Sequence, residues 1–169
     1  MIETERLHLK PMEKGDAPFV LELLNTKEWI ENIGQRNVYT IAEAEKYIQE
    51  KMINHYLKNG YGNYLMTRKE DHVNLGCVSL YNRADVDGVD IGFALLPQFF
   101  GKGYAYEGAK ALVNCAQHEF GLCSICAFTA NDNLPSQKLI MKLGLEFEKM
   151  IEFGDDKEEL QYYKLEFDK

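Results

Sequence analysis

The sequence predicts an α/β (α+β) chain built on a mixed sheet with helices on both faces. Three observations carry that expectation. Apolar side chains alternate between strand and helix spacing in the order β-α-α-β-β-β-α-β-α-β-β. Asp87-Gly88, a favoured tight-turn pair, joins two strand-like runs as an antiparallel hairpin. The segment "PQFFGKGYAYEGAK", residues 97–110, sets Gly101 and Gly103 around Lys102 between a run that reads as a buried strand, "VDIGFALL", and a helical pattern.

Each element has its own signal. "RLHLKPM" alternates apolar and polar residues like a strand, and Asp16 then precedes Phe19, Val20, Leu23 and Leu24, which share one helical face. Thr40 and Glu43 make a capping box before Ile41, Ala44, Ile48, Met52 and Tyr56, so a second helix is expected to reach about Lys58 and stop at Asn59-Gly60. Three strands follow, "NYLMTRK", "VNLGCVSLYN" and "VDIGFALL". Beyond the glycine turn, Ala109, Leu112, Val113, Ala116 and Phe120 line one face of a helix over 105–120 that ends at Gly121. "SICAFTA" reads as a strand. Asn133 caps the next helix, with Pro135 in its first turn and Gly144 after it, and "LEFEKMIEF" and "ELQYYKLEF" close the order around Gly154-Asp155-Asp156.

Composition bounds the function. A chain of 169 residues, 46% hydrophobic and without a Pro/Gly/Ser-rich linker or internal repeat, fits one domain over 1–169. No apolar run reaches membrane-span length, and the opening "MIETERLHLKP" carries charges where a signal peptide would be apolar, so a cytoplasmic protein with no membrane partner is expected. A net charge of −8 argues against a nucleic-acid partner and favours cationic small molecules or basic peptides. Cys77, Cys115, Cys123 and Cys126 read as reduced, mostly buried thiols. The C-x-x-C of Cys123 and Cys126 lies in a strand pattern and lacks a second ligand pair, so no metal or redox site is expected there. His118 falls on the surface or boundary of a helix, and His8, His55 and His72 show no ligand spacing.

The glycine turn matches neither common phosphate loop. A P-loop would need glycine at Leu96 and Ser or Thr at Gly103, and a dinucleotide fingerprint would need glycine at Tyr106 and a parallel βαβ unit in place of the hairpin. What remains is a turn whose successive N–H groups can converge on a pyrophosphate, with the positive end of a helix behind it.

"FALLPQFFGKGYAYEGAKAL", followed downstream by "TANDNLPSQKLIMKLGLEFE" and preceded by the opening "IETERLHLKPM", resembles the GCN5-related N-acetyltransferase (GNAT) superfamily, and within it the branch of ribosomal-protein N-terminal acetyltransferases and their relatives. The resemblance spans essentially the whole chain. It implies a single-domain GNAT fold whose mixed, mostly antiparallel sheet splays open between its central strands, with acetyl-CoA in the cleft as acyl donor and its pyrophosphate on the glycine turn. The family's turn places Phe100, Gly103 and Ala105 at its three marked positions, and Phe100 departs from the usual Gln or Arg. The phosphate contacts are then expected from backbone N–H groups of Gly101, Lys102, Gly103, Tyr104 and Ala105. Phe93, Ala94 and Leu95 correspond to the strand that pairs with the pantetheine arm.

Asn131, Asn133 and Ser136 complete the cofactor set that the resemblance implies. Many members carry a Tyr four residues beyond Ser136; this chain has Ile140, which leaves Ser136 as the candidate acid toward the departing thiolate. Asp90 is the candidate base for the acceptor ammonium, with Glu107 second. Each has a plainer reading: helix capping for Asn133 and Ser136, core packing for Phe93 and Leu95, a solvated carboxylate for Asp90 and a favourable macrodipole contact for Glu107. The expected function is acetyl transfer to a primary amine, a peptide N-terminus or small polycationic amine, by a monomer or homodimer. A coenzyme A-binding regulatory module without turnover and a purely structural protein stay open at this point.

Overall fold

A computed structural model of the chain describes residues 1–168. Its strands are β1 (Ile2–Glu3), β2 (Leu7–Pro11), β3 (Asn63–Arg68), β4 (Asn74–Asn82), β5 (Val89–Leu95), β6 (Ser124–Ala130), β7 (Glu146–Phe153) and β8 (Glu158–Glu166). They form one eight-stranded sheet in the order β1-β2-β3-β4-β5-β6-β8-β7. Every neighbouring pair is antiparallel except β5 and β6. That pair is parallel because a helix, α5 (Tyr104–His118), carries the chain back between them.

The parallel pair is also where the sheet opens. β5 is paired with β4 from Val89 to Leu95, and its register with β6 holds a single pair, Asp90 with Cys126. Past that point the two strands part, while β6 remains paired with β8 from Ser124 to Ala130. The result is a cleft inside the sheet, bordered by two strands each hydrogen-bonded on one side only.

The helices follow their local signals. In α1 (Ala17–Leu24) the expected residues Phe19, Val20, Leu23 and Leu24 are buried. Asp16 ahead of it is buried too, accepting from the Glu13 amide at 3.0 Å and pairing with Lys10 at 3.1 Å. A short helix absent from the sequence reading, α2 (Lys27–Asn32), begins where the Thr26 side chain accepts from the Trp29 amide. α3 (Ile41–Tyr47) starts on the expected capping box, the Glu43 amide donating to Thr40 Oγ1 at 3.2 Å. It continues through a π-helical turn, Ile48–Ile53, into α4 (Asn54–Asn59), and Gly60 ends it at φ +78°. α5 buries Ala109, Leu112, Val113 and Ala116 and finishes at His118, so Phe120 lies beyond it, its ring 5.6 Å from that of Tyr61. Its approach to the sheet is close enough that a Cβ on Gly108 would collide with Met66 Sδ. α6 (Leu134–Lys142) is capped by Asn133, whose Oδ1 accepts from the Ser136 amide at 3.3 Å.

The main core runs from β2 and α1 through α3 to the inner face of α5. A smaller one, Val86, Cys126 and Tyr162 backed by Phe128, Ile151 and Phe153, lies where β5 and β6 part. Cys77, Cys115 and Cys126 are buried and Cys123 is exposed, all four as free thiols.

Candidate active site

The glycine turn is a backbone device. Gly101 and Gly103 adopt φ +74° and +82°, a region that side chains strain, and Gly103 is the N-cap of α5 with no side chain capping it. Among the described residues no acceptor is found for the backbone N–H groups from Gly101 to Tyr106; the first helical bond of α5 is Glu107 N–H to the Gly103 carbonyl at 3.0 Å. A run of unpaired N–H groups at the positive end of a fifteen-residue helix is an anion site in chemical terms. Gly101, Lys102 and Gly103 are exposed and Ala105 half-buried, so the run is open to a ligand. Of the predicted set, Tyr104 offers only its backbone here. Its buried ring lies beneath the Arg6 guanidinium, 4.3 Å from the centroid, and its hydroxyl accepts from Arg68 Nη1 at 3.3 Å. Phe100 is exposed, and Lys102 Nζ stands 5.9 Å over the Phe99 ring.

Upstream of the turn, Phe93 and Ala94 are half-buried and Leu95 is buried, on the stretch of β5 that has left β6. Their backbone groups on that side have no strand partner, which suits an extended chain bearing amides. Across the cleft, β6 ends at Ala130 and α6 begins. Gln137, a residue the sequence reading did not single out, donates through Nε2 to the carbonyls of Ala130 and Asn131, both at 3.0 Å, and so ties the strand end to the first turn of the helix. Its signal was burial of an amide on an otherwise apolar face, which spacing alone does not disclose. Asn131 is exposed and accepts from Gln161 Nε2 at 2.9 Å. Asn133 serves as the cap. Ser136 gives its amide to that cap, while its half-buried hydroxyl has no partner among the described residues. Ile140 is buried at 1% exposure in the core and has no polar atom to offer.

The two candidate carboxylates occupy different surroundings. Glu107 accepts from Thr4 Oγ1 at 2.6 Å, the Arg6 amide at 2.8 Å and Arg6 Nε at 2.7 Å. Burial alone would raise its pKa, but these bonds outweigh it and hold the group below the usual carboxylate range. A carboxylate so engaged is a tie between chain segments, not a base. Asp90 is no solvated carboxylate: it is 4% exposed, at the vertex of the cleft, and it pairs with Arg83 Nε at 2.7 Å. Burial pushes its pKa up, with Arg83 opposing. Arg83 packs against the rings of Tyr81, Phe128 and Phe153 at 4.9, 5.8 and 6.0 Å. Cys126, opposite Asp90, has its thiol pushed up to about 11, chiefly by burial, so it carries almost no thiolate at neutral pH.

The model of the acetyltransferase (GNAT) domain matches residues 6–146, and the chain belongs to that family. It is an N-acetyltransferase, and acetyl-CoA, the acyl donor of the family, is its cosubstrate. The uncharacterized N-acetyltransferase YjdG of Bacillus subtilis is 28% identical over 153 residues, covering 85% of this chain and 88% of that one. Among solved structures, the RimL ribosomal L7/L12 alpha-N-protein acetyltransferase in complex with coenzyme A superposes with a TM-score of 0.82 at 18% identity, over 96% of this chain and 95% of that one. The spermidine N-acetyltransferase of Vibrio cholerae in complex with coenzyme A and spermine gives 0.79 at 17% identity over 96% of each chain. At such identities the likeness is one of fold. Among the described residues, no helix is long and apolar enough to cross a membrane.

Proposed function

We propose that residues 1–169 act as one cytoplasmic catalytic domain, a monomer or homodimer, that acetylates a cationic primary amine: a basic peptide N-terminus or a small polycationic amine. The run of unpaired N–H groups from Gly101 to Tyr106 carries the cofactor half of this reading. The pyrophosphate lies on that run, the pantetheine arm extends along Phe93, Ala94 and Leu95, and the thioester reaches the cleft between β5 and β6. The acceptor amine, deprotonated, attacks the thioester carbonyl directly. The C–N bond forms, the C–S bond breaks, and coenzyme A leaves as thiolate or thiol. Cys126, held as a thiol by burial, takes no part as an acyl carrier.

Asp90 serves the acceptor end. A buried carboxylate with a raised proton affinity and one hydrogen-bonded partner can attract the acceptor ammonium and take its proton, directly or through water. Ser136 serves the donor end, its free hydroxyl supplying a hydrogen bond to sulfur as charge develops there. The acceptor class rests on charge: at −8 the chain attracts cations, and two of the acetyltransferases that share the fold are named for a ribosomal protein and for spermidine. An acetyl-transfer assay over matched basic and acidic peptides and polyamines, read by release of the coenzyme A thiol, tests it. Basic acceptors should turn over with a KM that rises with salt, as attraction is screened over about 10 Å at 0.1 M. Equal, salt-insensitive kcat/KM for basic and acidic acceptors would refute the cationic preference, and coenzyme A binding with no turnover of any amine would refute the catalytic reading.

A further inference from the structure

We propose that Arg6 and Glu107 form a clasp that sets the direction of the N–H groups of the glycine turn, making both of them positioning residues for acetyl-CoA. The proposal rests on the reading of residues 101–106 as the pyrophosphate site.

The turn cannot hold its own shape. The glycines that permit its positive φ values flank the Lys102 peptides on both sides, and glycine also permits many other conformations, so a peptide between two of them turns over at little cost. Arg6, far away in sequence, supplies the missing restraint. Its Nη1 donates to the Lys102 carbonyl at 3.0 Å while its Nε donates to Glu107 Oε2 at 2.7 Å. One planar side chain thus grips the middle of the turn and the first turn of α5 together. A trans peptide points its C=O and N–H in opposite directions. Drawing the Lys102 carbonyl toward Arg6 therefore turns the Gly103 N–H away from Arg6, to the open side of the turn.

Glu107 completes the device from the helix. Its carboxylate is fixed by Thr4 Oγ1 at 2.6 Å and by the Arg6 amide at 2.8 Å, which anchors the segment before β2 against α5. A bare carboxylate in the first turn would repel a phosphate arriving there; the Arg6 charge cancels it at contact distance. The Tyr104 ring beneath the guanidinium, 4.3 Å from its centroid, fixes the level at which Arg6 lies.

A tie that served stability alone would have the same contacts, so the test needs a readout that stability does not move. In the full chain, Arg6→Ala, Arg6→Lys and Glu107→Gln are compared with the wild type for melting temperature, calorimetric affinity for coenzyme A, and turnover with acetyl-CoA and with S-acetylpantetheine, a donor that lacks the pyrophosphate. Arg6→Ala should weaken coenzyme A binding and raise the acetyl-CoA KM by about 10- to 100-fold, the loss expected for one charge-assisted hydrogen bond. Its kcat should change by less than about threefold, and turnover of S-acetylpantetheine should follow the wild type. Arg6→Lys keeps the charge but cannot span both acceptors, so it should recover melting temperature without recovering affinity; it also carries the comparison if Arg6→Ala loses its fold. Wild-type affinity in a folded Arg6→Ala or Arg6→Lys, or an equal loss with both donors, would overturn the proposal alone. A wild-type chain that does not bind coenzyme A would overturn the cofactor reading beneath it.

Discussion

The two ends of the β5-turn-α5 unit each carry a carboxylate, and the fold uses them in opposite ways. At the glycine end Glu107 meets three donors and sits below the ordinary carboxylate range. At the cleft vertex Asp90 is more deeply buried, meets one side-chain donor, Arg83 Nε, and has its pKa raised. The first has most of its acceptor capacity engaged, and what that end presents to solvent is backbone N–H. The second keeps lone pairs and a proton affinity moved toward neutrality. Burial alone therefore does not single out the proposed base; the count of donors already engaged separates the two carboxylates.

The largest way to break this contrast is at the backbone. Gly103→Val forces a β-branched side chain to φ +82° with its Cβ 3.4 Å from Arg6 Nη2, so it strains the turn and crowds the Arg6 contact, and it should weaken coenzyme A binding by about 100-fold or more while the α5 face stays packed. Calorimetry on folded protein checks it, and unchanged affinity would remove the turn from the cofactor site.

At the other end the expected losses are in rate. Asp90→Asn should lower kcat by about 100-fold or more, the contribution of a single positioned base. Because the folded pKa of Asp90 is raised, its favourable contribution to stability is fully present below the ordinary carboxylate pKa and is lost as pH rises through the folded value. Asp90→Asn should therefore not lower the melting temperature at pH 8, where the wild type pays for a buried charge; a large drop there would make Asp90 a structural partner of Arg83. Ser136→Ala should cost about 10-fold in kcat with coenzyme A affinity unchanged, since the Asn133 cap uses the Ser136 amide and not its hydroxyl.

The smallest effect sharpens the vertex end. His55 accepts the Asn82 amide on Nε2 at 3.1 Å and faces the Tyr61 carbonyl through Nδ1, so it is held neutral. Burial lowers its pKa, with Arg83 and Lys58 adding to the shift and Tyr61 opposing it. Its stability contribution is present above the ordinary value of about 6.5 and lost as pH falls through the lower folded value. Melting temperature should drop by a few degrees on acidification below that range, and His55→Gln should flatten the drop.

What was legible in the sequence divides along the same line. The capping box at Thr40, the Asn133 cap, the Asp87-Gly88 hairpin and strand "SICAFTA" are settled by residues within a few positions of one another, and all appear where their signals lie. The glycine turn was legible for the same reason, since positive φ leaves a mark at the residue that adopts it. α2 was missed although Thr26 caps it, because six residues are too few to show a period. The π-helical turn at Ile48–Ile53 leaves the apolar spacing of its helix almost unchanged, so nothing announced it. Side-chain roles were the least legible. Glu107 could be read as a base or a macrodipole contact until Thr4 and Arg6 were brought to it across the sheet, and Asp90 looked solvated until Arg83 and the rings around it closed over. Those partners are chosen by tertiary packing, which local pattern does not encode.

The proposed cofactor site consists of backbone N–H groups facing phosphate, and amide chemical shifts report on them one at a time. Titrating coenzyme A into isotope-labelled protein should move the amide resonances of Gly101 to Tyr106 most, with the Gly103 amide shifted strongly downfield as it meets an anionic acceptor, and should leave those around His55 and Asn82 nearly still. Saturable binding that leaves the 101–106 amides in place, with the largest shifts elsewhere, would contradict it.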